Sequence, residues 1–388
     1  MSDSLFLDSN AGAPLSQKVM EGLQSFLSER LGQGLNPSGL YLSSKKLKVQ
    51  LAELRENVSA ELQADPYELI FTSSGTEALT SAFVSLIRGF ENQEWHWIRS
   101  GIEHPAVYAL DPFFHFPNSI QTIPTRASGE WDFEVLSKLL HKLTAEAPNA
   151  GVLLTLIAAQ NESGVIQEYE RLSGLIERFP NVRVILDAAQ VWGKWPSFRL
   201  KEISRVDAVT FSGVKRGSLP GVGILAYSKK RRFFPLLSGT QERGRRGGTE
   251  NTLGLLSLKY ALAHIHFDFE GALRTREALE HKLRQHFGEQ VHIWGESAER
   301  RLPQTVLFSL KGVESLRALD VLSQEGVEAS AGSACSSGSL KPSYVILEMG
   351  GSEAQARSGI RFSWDRPLSE VELEKVSQAL LKLKGLIG

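Results

Sequence analysis

The sequence predicts an α/β protein with a mostly parallel, seven-stranded sheet flanked by helices and a smaller α+β domain. Two observations support this fold class. From about residue 68, short β-branched runs alternate with longer amphipathic segments, which is typical of a parallel sheet with helices on both faces. After about residue 253 the pattern changes, because helical segments then flank only a few strands.

Seven short runs account for the predicted sheet. They read ELIFTSS (68–74), WHWIRS (95–100), SIQTI (119–123), GVLLTLIAAQ (151–160), VRVILDAAQ (182–190), DAVTFSG (207–213) and GVGILAYS (221–228). Helical patterns separate most of them, beginning with TEALTSAFVSLIRGF after the first run. Only a short loop joins the last two runs, so we expect the last strand to pair antiparallel with its predecessor at an edge of the sheet.

The second part of the chain has a different pattern of predicted helices and strands. Helical patterns at 272–287 and 369–387 flank the strand-like runs VHIW, TVLFSL and IRFSW. The sequence predicts a large domain over residues 15–255 and a small domain formed by residues 1–14 together with 256–388. The boundary near 253–265 itself has a helical pattern.

The composition limits the class of protein. Of the 388 residues, 42% are hydrophobic and 22% are charged, as in an ordinary globular enzyme. The formal net charge of −1 gives no reason to expect a nucleic-acid or membrane surface. The single cysteine cannot form an internal disulfide, and the first residues, MSDSLFLDSN, do not resemble a signal peptide. We therefore expect a cytoplasmic protein, and we predict no metal site.

Small and polar residues follow the first strand of the predicted sheet, where ligands of open α/β sheets collect. The turn Ser73-Ser74-Gly75-Thr76-Glu77 leads into a helix. Free backbone N–H groups and the positive end of a helix make such a turn suitable for binding a phosphate. The same residues could also form only an ordinary helix N-cap. The dinucleotide motif G-x-G-x-x-G is absent at this turn, which argues against a dinucleotide.

Two charged residues end two further strands. Asp187 follows VRVIL, and a carboxylate there is desolvated unless it meets a cation, although many such residues only cap helices. Lys215 follows DAVTFSGV, where burial would lower its pKa towards that of a nucleophilic amine unless the side chain reaches solvent. Taken singly, each residue has an ordinary structural explanation.

The combination of these three features predicts a binding site for pyridoxal phosphate. A lysine that forms a Schiff base, an aspartate facing the pyridine nitrogen and a loop that grips the phosphate are what this cofactor needs. His104, in EHPAV after another strand, adds a flat ring that could stack on the cofactor.

The chain resembles the cysteine desulfurases of the class V aminotransferase fold family. The resemblance runs from FLDSNAGAP near the start to IRFS near the end. Its motifs, in chain order, are NPSG (36–39), FTSSGTEA, EHPAV, QNESGVIQ, LDAAQVWGK, FSGVK, QERGRRGGTEN and SAGSACSSGSLKPSYV. It implies a fold-type I enzyme that uses pyridoxal phosphate to convert L-cysteine to L-alanine, and a homodimer.

The resemblance also implies a role for each matching residue. Lys215 would bind the cofactor, Asp187 would face its ring nitrogen, and His104 would stack on its ring. Gln190 would hydrogen-bond the ring hydroxyl, and Asn161 would contact the cofactor or the substrate. The phosphate would be held by Gly75, Thr76 and Ser212, with Thr249 reaching it from the other subunit. Arg361 and Asn36 would take the substrate carboxylate, to which a guanidinium is well matched.

The only cysteine, Cys335, lies in the glycine- and serine-rich stretch GSACSSGSL. A thiolate that must reach the substrate sulfur and leave with it needs a loop of this kind, whereas a buried cysteine could not move. The resemblance implies that Cys335 attacks the sulfur of cysteine and becomes a persulfide. Residues 330–344 match the longer-loop branch, which passes sulfur to acceptor proteins in iron–sulfur cluster, thio-cofactor or transfer RNA pathways.

The sequence departs from the family pattern at several points. Val214 stands where a histidine usually precedes the lysine, Tyr41 replaces another usual histidine, and Ser218 replaces a common glycine. The final GLIG lacks the histidine-ending tail with which bacterial housekeeping members bind their scaffold. Two alternatives stay open. One is a selenocysteine lyase, which need not use an enzyme cysteine, or another class V pyridoxal phosphate enzyme. The other is a weakly active accessory homologue, which Val214 and Tyr41 make plausible.

Overall fold

The structure is a computed structural model that describes residues 4–90, 93–111, 120–332 and 341–387. The strands are β1 (Leu5–Phe6), β2 (Tyr67–Thr72), β3 (Trp95–Ser100), β4 (Ile120–Ile123), β5 (Gly151–Ile157), β6 (Val182–Asp187), β7 (Ala208–Ser212), β8 (Gly223–Ser228), β9 (Val291–Trp294), β10 (Thr305–Leu310), β11 (Val327–Glu328), β12 (Ser330–Ala331) and β13 (Gly359–Ser363). The helices are α1 (Gln17–Glu29), α2 (Leu42–Leu62), α3 (Gly75–Arg88), α4 (Pro105–Tyr108), α5 (Phe133–Glu146), α6 (Leu172–Glu177), α7 (Gln241–Gly244), α8 (Thr252–His264), α9 (Phe269–Phe287), α10 (Ser315–Gln324), α11 (Tyr344–Glu348), α12 (Glu353–Arg357) and α13 (Glu370–Leu383).

The central sheet has seven strands in the order β2-β8-β7-β6-β5-β3-β4. All seven predicted strands are present, and the predicted fold class is confirmed. The interior strand β5 is buried along its whole length, as expected for a parallel strand covered on both faces.

One detail of the predicted sheet is wrong. Strand β8 is antiparallel to β7, as the short connection predicted, but it does not form the edge. Strand β2 lies outside it and pairs with it antiparallel, from Tyr67 opposite Ser228 to Thr72 opposite Gly223. The short loop determines the direction of β8. It carries no information about which earlier strand covers the other side of β8.

The second sheet and its helices form a separate hydrophobic core. Its strands are antiparallel and run in the order β12-β13-β10-β9, and α9, α10 and α13 pack against them. Leu5 and Leu7 from the N-terminus join this core, and β1 pairs with β11. The predicted boundary region falls in α8, where Leu256 and Ala261 pack with α1 and α2. We keep the division after residues 14 and 255 as a proposal.

Candidate active site

A cavity of about 180 Å³ lies at the carboxyl-terminal edge of the parallel strands. Ile157, Asp187 and Ser212, which end β5, β6 and β7, form part of its wall. Most of the predicted site residues line this one cavity: Gly75, Thr76, His104, Asn161, Asp187, Gln190, Ser212, Lys215 and Arg361. The fold therefore brings together residues that are up to 286 positions apart in the sequence, from Gly75 to Arg361.

The first turn of helix α3 forms one corner of the cavity. Ser74 caps this helix, and its side chain accepts a hydrogen bond from the Glu77 N–H over 3.1 Å. A Cβ atom on Gly75 would lie 3.3 Å from Ser212 Cβ, closer than most such contacts, so glycine lets the helix approach the end of β7. The N-terminus of a helix this long attracts anions, so the corner suits a phosphate group.

The carboxylate of Asp187 is held at the end of β6. It accepts a hydrogen bond from the Ala189 N–H over 2.9 Å. Burial raises the pKa of Asp187, while the nearby His104 and Lys215 side chains oppose that rise. A buried carboxyl of this kind becomes a stable anion when a cation faces it, and a protonated pyridine nitrogen would be such a cation.

His104 lies at the start of α4 with a fixed ring orientation. Its Nδ1 accepts a hydrogen bond from the Ala106 N–H over 3.1 Å. Because a backbone N–H can only donate, the proton of the neutral ring belongs on Nε2. Burial lowers the pKa of His104, Asp187 raises it, and Lys215 lowers it again, with a net decrease. His104 therefore presents a neutral, oriented ring to the cavity.

Lys215 lies in the single 3₁₀ turn Gly213–Arg216, directly after β7. Its Nζ donates a hydrogen bond to the carbonyl oxygen of Ala11. A second lysine, Lys194, lies behind the cavity wall and is only 4% exposed. Burial lowers the pKa of Lys194 to about 7, with Lys215 and Arg216 adding to that effect.

The amide of Gln190 is fixed at both ends. Its Nε2 donates to the carbonyl oxygen of Asn10 over 3.0 Å, and its Oε1 accepts from Lys194 Nζ over 3.4 Å. The second hydrogen on Nε2 is consistent with the predicted contact to a ring hydroxyl.

The guanidinium of Arg361 is buried, with 2% of the residue exposed, although it lines the cavity. Its Nη1 donates to the carbonyl oxygen of Asn161 over 3.0 Å, and Nη2 forms an ion pair with Asp8. These contacts fix the plane of the guanidinium, so that it can receive a carboxylate in one orientation.

Two buried carboxyl groups border the site. Burial raises the pKa of Glu103 to about 8; hydrogen bonds from Ser100 and Ile157 oppose the rise, and Asp187 adds to it. Burial also raises the pKa of Glu162 to about 7, although the Ser343 hydroxyl donates to its Oε2 over 2.6 Å.

Comparison with known proteins identifies the family. The class V aminotransferase family profile matches residues 5–376. A cysteine desulfurase of Trichormus azollae is 32% identical over 382 residues, which cover 97% of this chain and 92% of that protein. The cysteine desulfurase NifS of Azotobacter vinelandii is 30% identical over 378 residues, covering 96% of this chain and 90% of that one. The chain belongs to the class V aminotransferase family.

A solved structure agrees with this assignment. The NifS-like protein from Rickettsia africae has a TM-score of 0.84 at 25% identity, over 98% of this chain and 99% of that one. The predicted membership among the class V cysteine desulfurases, an enzyme group that depends on pyridoxal phosphate, is confirmed.

The residues of the cavity fit the class V cofactor. A helix N-terminus, an aspartate, a flat neutral ring and a lysine amine line one cavity. These groups match the phosphate, the ring nitrogen, the ring face and the aldehyde of pyridoxal phosphate.

Three predicted residues are not brought into this cavity. Asn36 and Thr249 are exposed and do not line it within one chain. Asn36 Oδ1 accepts from the Ser38 N–H over 2.9 Å. Cys335 lies outside the described residues. The roles given to all three stay predictions.

The sequence reasoning missed several lining residues, above all Asn10 and Ala11. Both lie in the segment FLDSNAGAP, which was part of the resemblance but received no role. Little in the sequence indicated their role, because this segment has no regular hydrophobic pattern. Only folding brings it into contact with Lys215 and Gln190. Val214, whose carbonyl oxygen accepts from the Ala13 N–H over 2.9 Å, does not line the cavity.

No helix within the described part of the chain has the length and apolar character needed to cross a membrane. The same residues contain no group of three or more metal-ligating side chains placed to hold an ion.

Proposed function

We propose that the protein converts L-cysteine to L-alanine and transfers the sulfur atom to Cys335, from which an acceptor protein takes it. The observation that carries this proposal is that Lys215, Asp187, His104 and Arg361 line one cavity in a chain related to cysteine desulfurases. Pyridoxal phosphate, when bound, withdraws electrons from the carbon skeleton of an amino acid, so that bonds near its α-carbon break more easily.

The cavity residues would position this cofactor. Lys215 would hold it covalently through Nζ and later carry a proton on the same nitrogen. Asp187 would keep the ring nitrogen protonated, and His104 would support the ring face. Ser212, Gly75 and Thr76 would bind the phosphate beside the first turn of α3, and Gln190 would donate to the ring hydroxyl.

Arg361 would orient the substrate. Its guanidinium is fixed by Asn161 and Asp8, so it can pair with the carboxylate of L-cysteine without reorganising. Burial strengthens such a charged hydrogen bond, because little water competes for either partner.

Cys335 would accept the sulfur as a thiolate. An S–S bond forms between Cys335 and the substrate sulfur, and the carbon–sulfur bond breaks. The electron pair of that bond remains on the substrate carbon, which takes up a proton and leaves as part of L-alanine. The persulfide on Cys335 is then the product that an acceptor protein removes.

We also propose a homodimer in the cytoplasm. The exposed positions of Asn36 and Thr249 support shared sites, because both would need a second chain to reach a cavity. Large apolar side chains are exposed between α1 and α2 and in the first turns of α2, where a second copy would cover them: Leu31, Leu40, Tyr41, Leu42 and Val49. A single cysteine in 388 residues suits a reducing compartment.

The sulfur acceptor is proposed only as a class. Iron–sulfur cluster, thio-cofactor and transfer RNA pathways all use persulfide sulfur, and relatives include proteins named IscS and NifS.

A turnover assay tests the proposed function. The purified holoenzyme, given L-cysteine and a thiol reductant, is expected to release one L-alanine for each sulfide. The Lys215→Ala variant should release neither. Alanine without sulfide, or no turnover by the wild type, would contradict the proposal and favour an accessory role.

A further inference from the structure

Asn10 occupies a fixed position in the wall of the cavity. It is 2% exposed, yet it lines the cavity. Its backbone N–H donates to Ser363 Oγ over 2.9 Å, and its carbonyl oxygen accepts from Gln190 Nε2 over 3.0 Å. The residue is therefore held from two sides before its side chain is considered.

The side-chain amide of Asn10 can have only one orientation. Nδ2 donates to the carbonyl oxygen of Asn161 over 3.1 Å and to Thr305 Oγ1 over 2.9 Å. Because a carbonyl oxygen can only accept, the nitrogen must face Asn161, and both of its hydrogens are used. The oxygen Oδ1 is consequently directed elsewhere.

Oδ1 of Asn10 is a buried acceptor for which the described residues provide no donor. Leaving such an atom unpaired costs free energy, so a buried polar atom of this kind at a cavity wall is a candidate contact for a ligand. The ligand would have to bring an N–H or O–H group.

The position of Asn10 relative to Arg361 indicates which ligand group that is. The carbonyl oxygen of Asn161 accepts from both residues, over 3.1 Å from Asn10 and 3.0 Å from Arg361. The amide and the guanidinium thus lie side by side. If Arg361 holds the carboxylate of an amino acid, the α-ammonium group on the adjacent carbon would come next to Asn10.

We propose that Asn10 Oδ1 accepts a hydrogen bond from the α-ammonium group of the amino acid as it first binds, before this nitrogen reaches the cofactor, and so selects amino acids over carboxylic acids that lack this group. The inference rests on the proposed substrate class. A charged N–H donor is a better partner for an amide oxygen than a thiol, which donates weakly.

The test compares three inhibitors of the holoenzyme. L-Alanine carries the carboxylate and the ammonium, propionate carries only the carboxylate, and 3-mercaptopropionate carries the carboxylate and the thiol. In Asn10→Ala, the inhibition constant of L-alanine and the KM for L-cysteine should rise roughly tenfold or more. The constants for propionate and 3-mercaptopropionate should change less than about twofold.

The matched control is Thr305→Val. This substitution removes one support of Asn10 Nδ2 but retains the shape of the side chain and leaves Oδ1 in place. It should leave the preference for L-alanine over propionate intact, with thermal melting confirming that both variants fold. If Asn10→Ala does not fold, Asn10→Ser, which also lacks an amide oxygen, replaces it in the same comparison.

Several results would overturn the inference. An equal loss for all three inhibitors would show that Asn10 is only structural, and so would the same loss in Thr305→Val. A selective loss for 3-mercaptopropionate would make the thiol the donor. Unchanged constants would exclude any contact. Because the constants can be measured by ligand-induced spectral change without turnover, failure here is distinguishable from absence of desulfurase activity.

Discussion

Arg246 Nε donates a hydrogen bond to Glu77 Oε1 over 2.8 Å, and Nη2 donates to Oε2 over 3.2 Å. Glu77 Oε2 also accepts from the Ser73 N–H over 2.8 Å. Burial opposes the ionisation of Glu77, but hydrogen bonds from Arg246 and Ser73 give a net lowering of its pKa. This ion pair joins the first turn of α3, which lines the cavity, to the segment that precedes Thr249.

Replacing Arg246 by alanine should therefore weaken retention of pyridoxal phosphate. The Glu77 carboxylate would lose both hydrogen bonds from Arg246, and the first turn of α3, where we expect the phosphate to bind, would shift. We expect the dissociation constant of the cofactor to rise about tenfold, measured by absorbance after dialysis. The control is Arg245→Ala, which removes a more exposed pair with Glu68 and should change retention less than about twofold. Equal retention in the two variants would contradict the role of the Glu77–Arg246 pair.

The strands of the central sheet could be predicted because each is a short apolar run with its own pattern. The run WHWIRS agrees with β3 from Trp95 to Ser100. The strand order could not be predicted, because the pairing of Tyr67 with Ser228 depends on packing between parts of the chain 161 residues apart. The two-residue strands β1, β11 and β12 were missed because they are too short to have a periodicity.

The residues proposed to contact the cofactor could be predicted where they end a strand, as Asp187 does, or closely follow one, as Lys215 does. Residues whose role depends on contacts with sequence-distant neighbours could not be predicted. Asn10 carries no motif of its own, and its importance follows from contacts with Asn161 and Thr305, which are distant in sequence. Lys194 received no role from the sequence, and only folding buries it.

Reduction of the holoenzyme with borohydride should attach the pyridoxyl group to Lys215. The yellow absorbance band of the holoenzyme should disappear at the same time. Lys194 is the informative competitor, because its pKa of about 7 leaves a neutral amine available near neutral pH. We expect no label there, since its Nζ faces Gln190 Oε1. Peptide mapping that found the label on Lys194 would overturn the assignment.

Shared sites predict recovery of activity when two inactive variants are mixed. In a mixed dimer of Lys215→Ala and Thr249→Ala chains, one site carries both changes and the other carries neither. After joint unfolding and refolding, the mixture should regain desulfurase activity that neither variant has alone. Ultracentrifugation should show a dimer. A fully active monomer, or no recovery in a mixture shown to contain mixed dimers, would exclude the shared arrangement.

Glu103 should make the protein less stable as the pH rises. Its folded pKa of about 8 lies above the ordinary value of 4.5, because burial disfavours the charged form. The folded state therefore binds more protons than the unfolded state between those two values, and stability falls across that range with increasing pH. A side chain at position 103 that cannot ionise should therefore abolish the part of the stability decrease that Glu103 causes.

The variant Glu103→Gln tests this prediction. Its Oε1 can still accept from the Ile157 N–H and the Ser100 hydroxyl, so the local structure is retained. Between pH 5 and pH 8 its melting temperature should fall less than that of the wild type. Parallel melting curves for the two proteins would show that Glu103 does not titrate in this range.

Replacing Cys335 by serine should stop sulfur transfer while leaving the cofactor in place. A thiol with an ordinary pKa of about 8.5 is partly thiolate near neutral pH, whereas a serine hydroxyl stays protonated and attacks sulfur poorly. The variant should keep the absorbance band that depends on Lys215, and release of sulfide and L-alanine should decrease by orders of magnitude. Since Cys335 is the only cysteine, the wild type should take up a single alkylating label and lose activity in proportion. Mass spectrometry of the wild type after L-cysteine should show one added sulfur atom on the peptide that contains Cys335. Sulfur release by Cys335→Ser at a near wild-type rate would instead favour a lyase that needs no enzyme thiol, of which a selenocysteine lyase is the nearest example.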